Sequence, residues 1–533
     1  MTTVDRPRAD GSGAEPAAGS VDRAARGTAL NLAGSVVVAV VSFVTVGVVT
    51  NVHGQRGAGV FFAATAAFTL AANGARLGAE SGLMFFVSRL RADGRQRELR
   101  SVIRTALVAT GAVTVVLAIA GVGLAPTISG LIAEQPRYRD TATTMVRVLA
   151  VAVPTFALSQ VMIGASRGFG TMRPSVVAGQ LVRPVTQLTF VVVATVMSDE
   201  VWPLAVAWAL SSVLTMGTIG TWLRRRLRRV DVHGDPAPLD RGRYWRYTGP
   251  RAVADLLSAM LERLDILLVA FLIDEAAAGV YGTSNRLILA GQMMMVATAQ
   301  SMAPLLAANF LHGRHDDAQR VLRTISGWNV TLLWPVFLGL AFGAETALSV
   351  FGPEFSAAAP LVVVLSLAFL VITGLGVGDT LLLMTGDSIA SLINHAIALA
   401  VMVGAALILL PTTGIVGAAW AWALSRVTLR VLAVVRVWHT RRVHAIGRPV
   451  LTAAAVALAA YVPSGLLAHL VTDDWPAVAA HAALGGATQL VLVRIWRDAL
   501  QIDQLLAVLT RRATPAVPVQ STEGADSATP SQS

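Results

Sequence analysis

Residues Thr28 to Thr50 read TALNLAGSVVVAVVSFVTVGVVT, twenty-three positions without a charged side chain. A helix of that length rises about 35 Å, enough to cross the roughly 30 Å hydrocarbon core of a bilayer. Arg23 and Arg26 precede the run as they would precede a secretory signal. The run is too long for a signal's apolar region and lacks a small-residue cleavage pattern, so it reads as a retained first membrane helix. Working outward, apolar stretches of about 20 residues succeed one another as far as Trp496, divided by short polar punctuation. Of 533 residues, 55% are hydrophobic and 14% charged, and mean hydropathy is +0.64, which leaves little room for a soluble domain.

The spacing predicts an all-α polytopic membrane protein of about fourteen transmembrane helices, the first at 28–50 and the last at 476–496. The expected organisation is a disordered tail (1–27), a first lobe of helices 1 to 6 (28–222) and a basic loop (223–244). A second lobe of helices 7 to 12 (245–438), a loop (439–448), helices 13 and 14 (449–496) and a largely disordered tail (497–533) follow.

All 42 basic residues are arginine, and the net charge is +11. Without lysine there is no Walker A phosphate loop and no Schiff-base chemistry; without cysteine there are no disulfides, thiolate metal sites or catalytic thiols. With a cytoplasmic N-terminus, the second, fourth, sixth, eighth and twelfth connections collect Arg89 to Arg100, Arg167 and Arg173, Arg224 to Arg243, Arg314 and Arg320, and Arg441 to Arg448, while the tenth, around Gly386 and Asp387, is neutral. The opposite connections hold Arg56, Arg137 and Arg139 among Asp199, Glu200, Asp274, Glu275, Glu354, Asp473 and Asp474. This positive-inside pattern predicts cytoplasmic termini and explains the basic charge without nucleic acid as a partner.

An internal duplication appears at an offset near 220 residues. Ala58-Gly59-Val60-Phe61 matches Ala278-Gly279-Val280-Tyr281, Gly94-Arg95 matches Gly313-Arg314, and Arg104-Thr105 matches Arg323-Thr324. Both copies start on the same face, so the repeat is parallel, about an axis along the membrane normal. Two six-helix lobes around a central cavity, with an appended helix pair, follow from it.

Five arginines lie inside apolar spans: Arg147, Arg183, Arg263, Arg286 and Arg426. At about 2.5 to 3.5 kcal/mol each at the bilayer centre, they require a wet cavity or acidic partners. Arg76 and Glu80, four apart, form an expected structural pair, and Arg251 and Asp255 share that spacing. Arg251, Asp255, Ser258, Glu262 and Asp265 make a polar stripe on helix 7 that should face the cavity, its acids serving ion coupling or organising the lumen. Guanidinium binds phosphate bidentately and is weakly hydrated, so an arginine-lined cavity suits a diphosphate head. Pro154, Pro184, Pro304 and Pro335 free backbone carbonyls and permit bending.

No catalytic or cofactor-binding pattern survives inspection, and the chain reads as a non-enzyme without cofactors or metal. Gly164-Ala-Ser-Arg-Gly168 spells a nucleophile elbow but ends a membrane helix with no strand before it. Gly374, Gly376 and Gly378 lie within helix 10, where close packing is their expected purpose. The Asn329 sequon falls inside helix 9, and His395 stands alone in helix 11.

Taken together, Gly54-QRGAGV-Phe61, Leu77-GAESGLMFFVS-Arg89, Arg263-LDILLVAFLIDEAAAGV-Tyr281 and Gly414-IVGAAW-Ala421 resemble the polysaccharide exporters of the multidrug/oligosaccharidyl-lipid/polysaccharide (MOP) superfamily, which includes O-antigen-type flippases. The resemblance runs from Thr28 to Trp438. It implies two lobes, alternating access and a location in the bacterial cytoplasmic membrane. The implied cargo is an undecaprenyl-diphosphate-linked oligosaccharide for cell-surface polysaccharide, and the implied partners are membrane lipids and a glycan polymerase or glycosyltransferases. Helix 1 lacks the charged pair of lipid II flippases, and the helix pair at 449–496 departs from the twelve-helix drug exporters. An ion-coupled drug antiporter and a membrane glycosyltransferase or polymerase remain the alternatives, although no external connection exceeds roughly 16 residues.

Overall fold

The computed structural model describes residues 16–229, 240–288, 295, 315–376, 382, 388–470 and 474–502. Every regular element among them is a helix. The longer ones, in chain order, are α1 (Pro16–Ala75), α2 (Ala79–Ala92), α3 (Leu99–Gly123), the short α4 (Ala125–Ile132), α5 (Pro136–Gly168), α6 (Arg173–Met197) and α7 (Pro203–Arg228). The second half supplies α8 (Arg241–Leu272), α9 (275–288), α10 (His315–Phe342), α11 (Ala359–Gly374), α12 (Ser388–Thr413) and α13 (Ile415–Arg441). The appended pair is α14 (Arg448–His469) and α15 (Trp475–Ile495).

Eleven helices among the described residues are long and apolar enough to cross a membrane. One of these, Ala33–Ala92, makes two passes. Sixty residues of straight α1 would reach about 90 Å, yet Val38, Ser42 and Val46 line the same space as Phe61, Thr65 and Thr69. The chain folds back at Gly54, at φ 65° and ψ −172°, a backbone that a side chain would strain. Gly414 provides the same corner between α12 and α13, at φ 61° and ψ −140°. The charged residues along α8 keep it out of the eleven. Parts of the expected spans 279–303 and 357–385, with Pro304, Gly378 and Arg314, lie outside the described residues.

The expected second span, 59–87, is interrupted. Leu77 and Gly78 take positive φ, at 50° and 68°, between α1 and α2. The break lets Gly78 seat against the backbone of α8, where a Cβ would lie 2.9 Å from the Ala252 nitrogen. Asn73 and Arg76 sit beside the break, where carbonyls no longer serve the helix ladder.

Gly164 and Gly168 pack α5 onto α2: a Cβ on Gly168 would meet Leu83 O at 2.9 Å and Val87 Cβ at 2.8 Å. The Ser166 hydroxyl between them is buried and donates to Ile163 O at 2.8 Å, so the elbow-like spelling is a packing face. In the second lobe Phe337 of α10 stacks on Phe369 of α11 at 4.8 Å, and Phe369 meets Trp422 of α13. The α14 helix packs on α10, with Gly327 against Pro449, and α15 packs on α14, with Gly485 against Tyr461.

The two lobes meet where the duplicated corners cross. A Cβ on Gly59 would lie 2.8 Å from Gly279 N and run into Glu275 O; one on Gly279 would lie 2.9 Å from Gly59 N and run into Gln55 O. Residues 220 positions apart thus touch each other across a local two-fold axis, and the small side chain kept in both copies is what permits it. This crossing lies at the acidic connections, which we call the far face; the ends carrying most arginines form the basic face.

Candidate functional site

Between the lobes lies an open-mouthed chamber of about 200 Å³. Its walls come from both halves of α1 (Ser42, Thr45, Phe61, Thr65, Thr69), from α6 (Arg183, Gln187), from α7 (Trp208), from α8 (Arg263) and from α9 (Arg286). No acidic residue lines it among the described residues.

Three of the five arginines expected inside the membrane therefore share one cavity. Arg183 follows a π turn, Val177–Val182, and precedes Pro184. The proline has no N–H to give the ladder, so the spiral widens just before it and re-aims the next side chain. The Arg183 guanidinium lies 4.3 Å from the centre of the Phe156 ring, a contact that holds the cation without neutralising it. Arg286 reaches the Ser42 hydroxyl at 3.5 Å, and Arg263 Nε is buried without a hydrogen-bond partner. A guanidinium has five donor protons, and these three use few of them on the described residues.

The remaining expected residues lie elsewhere. Arg426 donates to Leu261 O at 2.7 Å and sits 5.5 Å from the centre of the Trp422 ring, so it ties α13 to α8. Arg147 is exposed on the outer side of α5 and is not among the chamber residues. The polar stripe of α8 splits. Asp265 is buried and accepts from Tyr281 Oη and Ile266 N, both at 2.9 Å, which joins α8 to α9; Glu262 is exposed; Asp255 is half-buried. None of the three lines the chamber, and Arg251 and Asp255 form no ion pair. A stripe at helical spacing turns with the helix, so its ends meet different neighbours. Arg76 pairs with Glu80 and donates to the side-chain Oδ1 of Asn73, and Glu80 also binds Arg167 of α5 at 3.3 Å, making a bridge across the break in the second span.

The chamber residues missed in the sequence are polar or aromatic without charge: Ser42, Thr65, Thr69, Gln187, Trp208, Phe61. Hydroxyls satisfied within their own helices, such as Thr65 on Phe61 O at 2.8 Å, look like any membrane-helix threonine in a sequence. Glu275, read there as an external loop acid, is fully buried. It accepts from Arg56 Nη1 at 3.1 Å and from Glu134 N at 2.9 Å, both contributed by the first lobe.

Two pseudo-symmetric lobes around a polar, membrane-embedded chamber define a membrane transporter of the MOP class. Solved structures agree on the fold. A lipid II flippase MurJ in an inward-closed conformation superposes with TM-score 0.67 at 12% identity, over 87% of this chain and 98% of that one. An inward-facing multidrug resistance MATE transporter gives 0.60 at 16%, over 74% and 92%. A MOP superfamily transporter from Pyrococcus furiosus, whose binding pocket is described as having reversed polarity, gives 0.56 at 14%, over 78% and 93%. The Polysaccharide biosynthesis protein family matches residues 24–310, more than half of the chain, and the protein belongs to that family. Among curated proteins, no sequence matches significantly.

Proposed function

We propose that the protein is a flippase that moves a polyprenyl-diphosphate-linked oligosaccharide across the bacterial cytoplasmic membrane by alternating access, for cell-surface polysaccharide. The observation that carries this reading is the convergence of Arg183, Arg263 and Arg286 on one chamber that no acidic residue lines among the described residues. Guanidiniums with unused donors, held in a low-dielectric bundle, favour a multiply charged anion such as a diphosphate and disfavour a cationic drug. Uncharged hydroxyl, amide and aromatic groups around them suit a glycan, which needs acceptors, donors and flat apolar faces. The polyprenyl chain stays in lipid.

With the basic face in the cytoplasm, cargo is taken up there and released at the far face, beside any polymerase or glycosyltransferase that uses it. The lobe boundaries expected from the sequence, 28–222 and 245–438, belong to this reading. The test is reconstitution in liposomes with a labelled lipid-diphosphate-sugar and, in parallel, a cationic dye. Translocation of the first but not the second is the expected result; the reverse would make the protein a drug exporter.

A further inference from the structure

We propose that the ion pair between Arg56 and Glu275 is a one-sided latch that holds the far face shut. It rests on the carrier reading but is independent of the cargo. The duplicated corners cross at this face, Gly59 against Gly279. Each corner reaches the segment of the opposite lobe that precedes a long helix. Gln55 Nε2 donates to Glu354 O at 2.7 Å, and Glu275 accepts from Glu134 N at 2.9 Å. Positions 55 and 275 are repeat equivalents, and so are 134 and 354, so the same pair of positions meets twice about the local two-fold axis, once with the side chain donating to a carbonyl and once with it accepting from an N–H.

At the contact positions the copies differ in charge. Where the second corner has Glu275, the first has Gln55; where the first has Arg56, the second has Ala276. A single salt bridge results, and it connects the lobes. Its acid is completely buried while the arginine side chain keeps 40% of its surface exposed. A buried carboxylate is tolerable only while its partners stay in place. Separating the lobes at this face takes Arg56 and Glu134 away from Glu275 together, so opening must rehydrate the acid. Phe43 against Phe351, at 5.2 Å, and Asn51 on Val350 O, at 3.2 Å, add contacts that break in the same movement. A crossing of two glycines can separate without unthreading side chains, which leaves the ion pair as its charged tie.

The chain has no cysteine, so a single introduced one is the sole thiol. Val46→Cys places it on the chamber wall towards the far face. Its rate of modification by a membrane-impermeant maleimide, added in vesicles to the far face alone, is compared in the parent, Glu275→Gln and Arg56→Gln backgrounds. An exposed reporter on that face, Glu200→Cys, corrects for reagent access and surface amount. Both latch variants are expected to raise the Val46→Cys rate at least about tenfold, because removing one partner of a buried pair shifts the open-to-closed ratio by that much or more. Arg56→Gln alters a half-exposed side chain and so keeps the test valid if the Glu275 variant folds poorly. Equal rates in all backgrounds, whatever their size, overturn the latch. No cargo enters the measurement, so this outcome is separate from failure of the flippase reading.

Discussion

Arg183, Arg263 and Arg286 line the chamber, and the proposed role of each in holding the head group can be tested singly. Loss of one charge-assisted contact to a phosphate weakens binding by about 1.5 to 3 kcal/mol, so each Arg→Gln change should lower cargo transport about tenfold or more. Arg147→Gln should leave transport unchanged, because that side chain lies outside the chamber. Arg426→Gln should instead lower the thermal midpoint in detergent, by the equivalent of about 1 to 3 kcal/mol, through loss of its bond to Leu261 O and its contact with Trp422. Arginine placement was legible in sequence only to the extent that charge at bilayer depth demands an explanation. Which explanation applies depends on helix phase, and no spacing rule separates Arg286, facing the chamber, from Arg426, tied to a carbonyl. Outside the membrane, burial and the neighbouring Arg323 guanidinium hold the His444 pKa below 6.5. The native state thus binds fewer protons there than the unfolded chain, and stability falls as pH drops below 6.5. His444→Asn should flatten that part of the thermal midpoint against pH; an unchanged slope would remove His444 as its cause.

At the scale of elements, glycines decide which helices approach each other. Gly78 combines positive φ with contact to the α8 backbone, so Gly78→Ala should cost about 1 to 3 kcal/mol and lower the thermal midpoint; no change would mean that the break in the second span is easily remodelled. The corner sequence Gly54 to Phe61 and its repeat were legible because both copies keep glycine where the lobes cross. The break at Leu77 was not, since a leucine at positive φ gives no local signal and is imposed by the packing of Gly78 and Gly82 on Thr248 and Tyr244. The π turn before Arg183 was half legible: Pro184 announces a disturbed ladder, but not its form.

For the whole molecule, the apolar run at Thr28 to Thr50, the succession of apolar spans after it and the arginine bias were enough to read the class before any coordinates, because a bilayer leaves so few ways to satisfy a backbone. The bias also fixes a prediction about orientation. Arg100→Cys on the basic face should be labelled only in inverted vesicles and Glu200→Cys only in right-side-out vesicles; the opposite assignment would reverse the direction of transport. The cavity was harder to read, as it is assembled from five helices distant in sequence. Its proposed purpose has one decisive measurement: the rate at which a labelled polyprenyl-diphosphate-sugar crosses liposomes containing the purified protein, compared with liposomes containing the Arg183→Gln, Arg263→Gln, Arg286→Gln triple variant. Crossing accelerated by the parent and returned to the protein-free rate by the triple variant is the predicted result. Equal acceleration by both proteins would contradict a guanidinium-lined chamber as the path of the head group.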